Sequence, residues 1–342
     1  MREAFDKLRL NKTNKILLQQ INAIIENYSK QGYRLTLRQL YYQLVSRDVI
    51  PNRKNEYTKL SSLLNKARLA GIVDWDAIED RLRVPRIPYS ADDIADALED
   101  IQSQYRLNRM RNQDIYLEVW SEKDALSGIF ARVTEEYHIR LAINRGYASV
   151  TAMYNAYNRF KAQIEDGKKC YILYFGDHDP SGLDMIRDIT DRLVRFIAIG
   201  LKEEFVEWCN KEGEYYEEDE DGNILDIELV SESFKRWLKQ YFEVVPVGLT
   251  MSQINRYSPP PNPAKEADPR GDWYKAYLRQ KHGLNQFISW EVDALPPEVL
   301  TSLLSSAIES KIDRAKFEEI LKSEKSDKVE FGKLIKKYSK GK

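Results

Sequence analysis

Apolar positions recur along this chain with two different periods, and the change comes near residue 113. In residues 12–30, Ile16, Leu17, Ile21, Ile24 and Ile25 fall at helical spacing and stop before Gly32, which predicts an amphipathic helix. A second helix is predicted from Thr36. Thr36 and Gln39 stand three apart as in a capping box, and Leu37, Leu40, Tyr41 and Leu44 form the apolar stripe as far as Arg47. After a turn at Pro51-Asn52, residues 57–70 place Leu60, Leu63, Leu64 and Ala67 on one side of a third helix, which ends before Gly71. IVDWDAIEDRLRVPRIP (72–88) reads as short extended pieces, and residues 90–112 as a charged helical connector.

From Asp114 onwards short apolar runs alternate with helical patterns. IYLEVW (115–120), RLAIN (140–144) and KCYILYF (169–175) read as strands, separated by helices from Asp124, over 151–165 and from Gly182. That alternation predicts a parallel α/β sheet. Before it, three helices followed by a short β element have the order of a winged helix-turn-helix. EGEYYEEDED (212–221) reads as an acidic surface loop, and residues 259–269 as a proline-rich one. Helices continue to Leu321. The tail 322–342, with 8 Lys against 3 acidic residues, is either a mobile charged tail or a phosphate-binding arm. The expected plan is a winged-helix domain over 1–88, a connector over 89–112, an α/β domain over 113–321 and the basic tail.

With 342 residues, 42% of them hydrophobic and 31% charged, the chain is long enough for two cored domains and unlike a disordered one. No apolar run is long enough to span a bilayer and the N-terminus has no secretory pattern, so no membrane and a cytoplasmic location are expected. Cys170 and Cys209 match neither a disulfide framework nor a zinc site. The net charge of −1 divides into +8 over residues 1–90 and −9 over the remainder. A basic front half joined to an acidic back half fits a polyanion-binding module attached to something else.

The sharpest chemical signal is Phe175-Gly176-Asp177-His178-Asp179-Pro180-Ser181-Gly182. An apolar strand runs into two carboxylates two residues apart, so Asp177 and Asp179 point the same way at the strand's C-terminal end, where open α/β sheets bind ligands. Carboxylate oxygen suits Mg²⁺, which takes one or two carboxylates plus water and phosphate. Ser181, with Asp184 three residues on, is the expected N-cap of the next helix. His178 should face away from the aspartates as a spacer, and His138 and His282 have no neighbours that imply ligation. A third acid comes from the strand 115–120. Glu118 competes for that role but sits mid-strand, where it could simply face solvent; Glu122, at the strand's end, is better placed. In the second helix Tyr41 lies on the core stripe, whereas Tyr42 lies off it with Arg38 one turn earlier. An exposed tyrosine beside an arginine is either a surface aromatic or a phosphate-attacking nucleophile, which needs a cation or base nearby because a phenol's pKa is near 10.

In this order the motifs resemble a known family. Arg38-Gln39-Leu40-Tyr41-Tyr42 resembles the catalytic helix of the topoisomerase VI A subunit and the related meiotic double-strand-break protein. Ser121-Glu122-Lys123-Asp124-Ala125 and Gly176-Asp177-x-Asp179-Pro180-x-Gly182 resemble the two acidic motifs of their Toprim domain, and NPAKEADPR (262–270) and WEVDALPP (290–297) its closing part. The resemblance covers residues 12–310. It implies a winged helix followed by a Toprim domain, and a duplex-cleaving transesterase in which Tyr42 forms a 5′-phosphotyrosyl link. Arg38 then positions the phosphate, Asp177 and Asp179 hold Mg²⁺ (Mn²⁺ as a substitute), and Glu122 serves as a further ligand or acid/base. It also implies a homodimer in which each tyrosine meets the other protomer's metal site. The chain has no P-loop, so strand passage would require a separate ATPase subunit. The rival readings are a water-using Toprim nuclease, and a non-catalytic DNA-binding regulator that relies on Lys59, Lys66 and Arg68 of the third helix. A primase-type polymerase is disfavoured because no zinc-ligand cysteines precede the α/β region.

Overall fold

The computed structural model describes residues 2–79, 88–144, 146–213 and 237–339. Three helices open the chain: α1 (Lys12–Lys30), α2 (Leu37–Ser46) and α3 (Lys54–Leu69). Both halves of the expected capping box are made at the start of α2: Thr36 Oγ1 accepts from the Gln39 amide, and the Gln39 side chain accepts from the Thr36 amide. Leu18, Ile21, Tyr28, Leu40, Leu44, Leu60, Leu64 and Ala67 form the core of this helical unit. The buried side of α1 runs Leu18–Ile21–Ile25–Tyr28, while Ile16, expected on that stripe, is exposed.

The region expected to form extended pieces after α3 is mostly turn. Trp75–Ala77 is a 3-10 turn, and one bridge joins Ile78 to Leu35 in parallel. Residues 80–87 of that segment lie outside the described residues.

Beyond α4 (Ile94–Gln104) come β1 (Ile115–Ser121), α5 (Ser127–Tyr137), β2 (Arg140–Ile143), α6 (Val150–Glu165), β3 (Lys169–Phe175), α7 (Pro180–Gly200), α8 (Lys202–Glu212) and β4 (Phe242–Gly248). The four strands form one parallel sheet in the order β2-β1-β3-β4. From β1 the chain steps outward to β2, then returns to the other side of β1, which makes the β1/β3 boundary a topological switch point. Residues alternate between the two faces as strands require. Leu117, Val119, Leu173 and Phe175 enter one core with α5 and later helices, and Trp120, Ile172 and Tyr174 enter another with α6, α7 and α8. Residues 214–221 of the acidic run lie outside the described residues.

The C-terminal part contains α9 (Met251–Tyr257), β5 (Asn262–Pro263), α10 (Gly271–His282), β6 (Ile288–Ser289), α11 (Pro297–Glu309) and α12 (Arg314–Ser339). The lysine-rich segment expected as a tail is, as far as Ser339, part of the 26-residue α12. It packs along α4, and Glu324, 4% exposed, ties it to the segment after α4 through Arg109 (2.8 and 3.1 Å) and the Leu107 amide (3.1 Å). Tyr105 adds a bond to Asp327 (2.7 Å). No described helix is long and apolar enough to cross a membrane.

Candidate functional site

Register places the two acidic motifs side by side. Ser121 pairs with Phe175, so Glu122 and Asp177 leave adjacent parallel strands at the same level. The Glu122 amide donates to Phe175 O (3.0 Å), and the Asp177 amide to Glu122 Oε2 (3.4 Å). Asp177 is 7% exposed, and its Oδ1 accepts from the Val292 amide (2.9 Å). The chain then bends sharply into α7. A Cβ at Gly182 would stand 2.2 Å from Asp177 O, so only glycine lets the first turn of α7 press against the strand end.

The second aspartate does a different job from the first. Asp179, not Ser181, caps α7: its Oδ1 accepts from the Gly182 amide (2.6 Å), and Pro180 takes the first helical position. The proline, which has no amide to be capped, explains why the cap sits one step before it. Ser181 instead donates to Asp268 (2.9 Å), and Asp184 takes Arg270 (2.8 Å) and the Tyr147 hydroxyl (2.6 Å), tying the 262–270 loop to the sheet edge. His178 faces away from the site as expected. Its backbone bridges to Trp290, and its ring is buried against Tyr274 (Nδ1 to Oη 2.9 Å).

Glu118, the competing acid of this strand, is fully buried and does not face solvent. It receives Arg159 Nε and Nη2 (2.6 and 2.8 Å), Tyr116 Oη (2.7 Å) and Trp120 Nε1 (2.9 Å), all on the α6 face of the sheet. With its carboxylate satisfied there, Glu122 is the β1 acid at the sheet edge.

Helix α2 reaches the same edge. Seven of its ten residues are buried, because α1 and α3 cover one side and the 3-10 turn Val292–Ala294 the other. Tyr42, expected to be exposed, is therefore 4% exposed. Tyr41 is in the core as expected, with its hydroxyl anchored at Asn52 (3.0 Å) and Arg53 O (3.2 Å). Tyr42 Oη receives a long contact from Asn262 Nδ2 (3.5 Å), and the Arg38 guanidinium lies 5.8 Å from its ring centre. Arg38 Nη2 donates to Glu291 Oε2, and Arg38 Nε lies 3.0 Å from Asp293 Oδ2. Lys123 Nζ lies 2.5 Å from Asp177 Oδ2 and 3.3 Å from Glu291 Oε2. Within the chain, Tyr42 therefore packs beside Arg38 and the 291–293 turn.

Charge in the cluster is unbalanced, with Glu122, Asp177, Asp179, Glu291 and Asp293 facing Arg38 and Lys123. Asp293 is 1% exposed and neither of its oxygens accepts a hydrogen bond among the described residues. Burial pushes Asp177 up to about 7 against the pull of Lys123, with Glu122 and Asp293 adding repulsion. Burial likewise raises Glu122. Tyr42 is raised by burial and by Asp293, while Arg38, Asn262 and Lys123 pull the other way. This hard-oxygen donor set, under-neutralised by its own cations, fits a divalent ion held by one or two carboxylates. No three His, Cys, Asp or Glu among the described residues already form a ligand group.

Of the residues expected on a DNA-binding helix, Lys59 is exposed and paired with Glu56 (2.7 Å), and Lys66 is exposed. Arg68 is committed internally, donating to Trp75 O (2.8 Å) with its guanidinium 4.9 Å from the Trp75 ring centre. Sequence reasoning assigned no role to Lys123, Asn262, Glu291 or Asp293. One signal was available, since Glu291-Val292-Asp293 repeats the acid-x-acid spacing of 177–179. Compared with known protein families, curated proteins and solved structures, the chain matches none.

Proposed function

We propose that this chain is a DNA-cleaving transesterase of the topoisomerase VI A-subunit kind, with a winged-helix module presenting Tyr42 to a Toprim-type site. One observation carries the reading: Arg38 and Tyr42 of α2 meet the sheet edge that holds Glu122 and Asp177. Tyr42 Oη attacks a backbone phosphorus, the 3′ oxygen leaves, and a 5′-phosphotyrosyl ester replaces the phosphodiester. One ester is exchanged for another, so the step reverses without ATP. Glu122 takes the phenolic proton and hands it to the leaving 3′ oxygen. Arg38 holds phosphoryl oxygens, a task that suits its planar fork. Glu122 and Asp177, with Asp179 beside them, would hold Mg²⁺ or Mn²⁺, which offsets charge on the phosphoryl oxygens when bound. Duplex DNA lies along the α3 side, where Lys59 and Lys66 are exposed. Cutting both strands calls for a homodimer, and strand passage for a separate ATPase subunit.

The test is covalent trapping. Protein, supercoiled plasmid and Mg²⁺ or Mn²⁺ are mixed and quenched in detergent, with Tyr42→Phe and Asp177→Ala run alongside. Protein-linked DNA that both substitutions abolish supports the reading. A second reading rests on the burial of Tyr42: a water-using nuclease or a non-catalytic DNA binder in which this side chain is structural. The nuclease would give cleavage without attached protein that survives Tyr42→Phe, and the binder would give no cleavage at all.

A further inference from the structure

Three hydrogen-bond donors from three distant segments converge on the carboxylate of Glu291. Arg38 Nη2 donates to Oε2, Lys123 Nζ lies 3.3 Å from that oxygen, and Asn262 Nδ2 lies 3.3 Å from Oε1. The same Asn262 nitrogen lies 3.5 Å from Tyr42 Oη. A guanidinium fork, an ammonium and an amide around two oxygens form a donor set suited to an oxyanion.

Beneath this set the two cations have other anchors. Arg38 faces the buried Asp293 at 3.0 Å, and Lys123 faces the buried Asp177 at 2.5 Å. Glu291 lies above them, its side chain 22% exposed beside an Arg38 side chain that is 42% exposed. Two buried carboxylates already hold the cations in place. The third is the one open to solvent, and therefore the one an incoming anion can replace.

We propose that Arg38, Lys123 and Asn262 form a phosphodiester-binding cradle whose resident occupant is the Glu291 carboxylate. A nucleic-acid phosphate enters by displacing that carboxylate and comes to rest beside the Tyr42 hydroxyl of the same chain. The choice of a nucleic-acid phosphate as ligand rests on the function proposed above; the cradle itself rests on the donor geometry. The arrangement makes Glu291 a competitor of the ligand. If the cradle stands open roughly a tenth of the time, the apparent affinity is about tenfold below its intrinsic value.

Glu291→Gln keeps the shape of the side chain and removes its charge. Binding is measured in a metal-free, chelator-containing buffer with two probes: a short labelled DNA duplex by fluorescence anisotropy, and inorganic phosphate by titration calorimetry. Glu291→Gln is expected to bind both about tenfold more tightly than the parent chain, and Asn262→Ala added to it to cut that gain. Glu291→Asp, which keeps the charge but withdraws it by one methylene, should move affinity in the same direction by less. Unchanged or weaker binding of both probes by a Glu291→Gln protein that melts like the parent overturns the cradle, even if the parent cleaves DNA covalently. Tighter phosphate binding with no duplex binding by any variant upholds the cradle and removes the DNA reading.

Discussion

The Lys123 ammonium stands 2.5 Å from Asp177 Oδ2, with side-chain exposures of 17% and 7%. Removing Lys123 strands the more deeply buried Asp177 carboxylate away from water, whereas removing Asp177 still leaves Lys123 the carboxylates of Glu291 and Asp293. Lys123→Met should therefore cost roughly 3–5 kcal/mol in metal-free buffer at pH 8, read by urea unfolding. Asp177→Asn in the same chain should recover most of that loss.

The same aspartate sets a pH dependence. Its carboxyl is raised to about 7 in the folded chain by burial, above its value when unfolded, so the folded state holds the proton more tightly. The cost of ionised Asp177 is absent below about pH 4 and fully present above about pH 7. Its contribution to stability therefore falls as pH rises through that window. Melting temperatures of the parent chain and Asp177→Asn should coincide near pH 4 and diverge towards pH 8, with the variant higher.

The adjacent tyrosines separate fold from chemistry. Tyr41→Phe loses bonds to Asn52 and Arg53 O and should cost about 1 kcal/mol while leaving DNA attachment intact. Tyr42→Phe gives up one long contact to Asn262. It should change unfolding energy by less than about 1 kcal/mol and abolish attachment.

Mixed dimers test where the site is assembled. In a mixture of Tyr42→Phe and Asp177→Ala chains, a tyrosine that serves its own chain's cluster leaves no complete site, and plasmid should stay supercoiled. A site shared between protomers would leave one intact, and nicked circles would appear on the gel.

Glu324 fastens α12 to the segment after α4 through Arg109 and the Leu107 amide. Glu324→Ala leaves the largely buried Arg109 side chain without its carboxylate. The expected cost is roughly 2–3 kcal/mol, measured by denaturant unfolding.

Local pattern was enough to place several elements and to bring two of the clustered carboxylates together. Periods of 3.6 and 2 depend on neighbours within a few residues, so α1, the α2 cap and the strands β1 and β3 could be read directly. Adjacent parallel strands that end at a switch point carried Glu122 and Asp177 to one edge, and the alternation of strand side chains turned His178 away. Long-range packing set everything else. Ser181 lost the cap to Asp179 because Pro180 starts α7, and the lysine-rich segment became packed helix with Glu324 fastened to Arg109. Tyr42 lies off the stripe of its own helix, but α2 has a second neighbour in Val292–Ala294, and that contact buries it. Arg38, Lys123, Asn262 and Glu291 come together only when four distant segments pack, and no local period records which far segment will cover an exposed face.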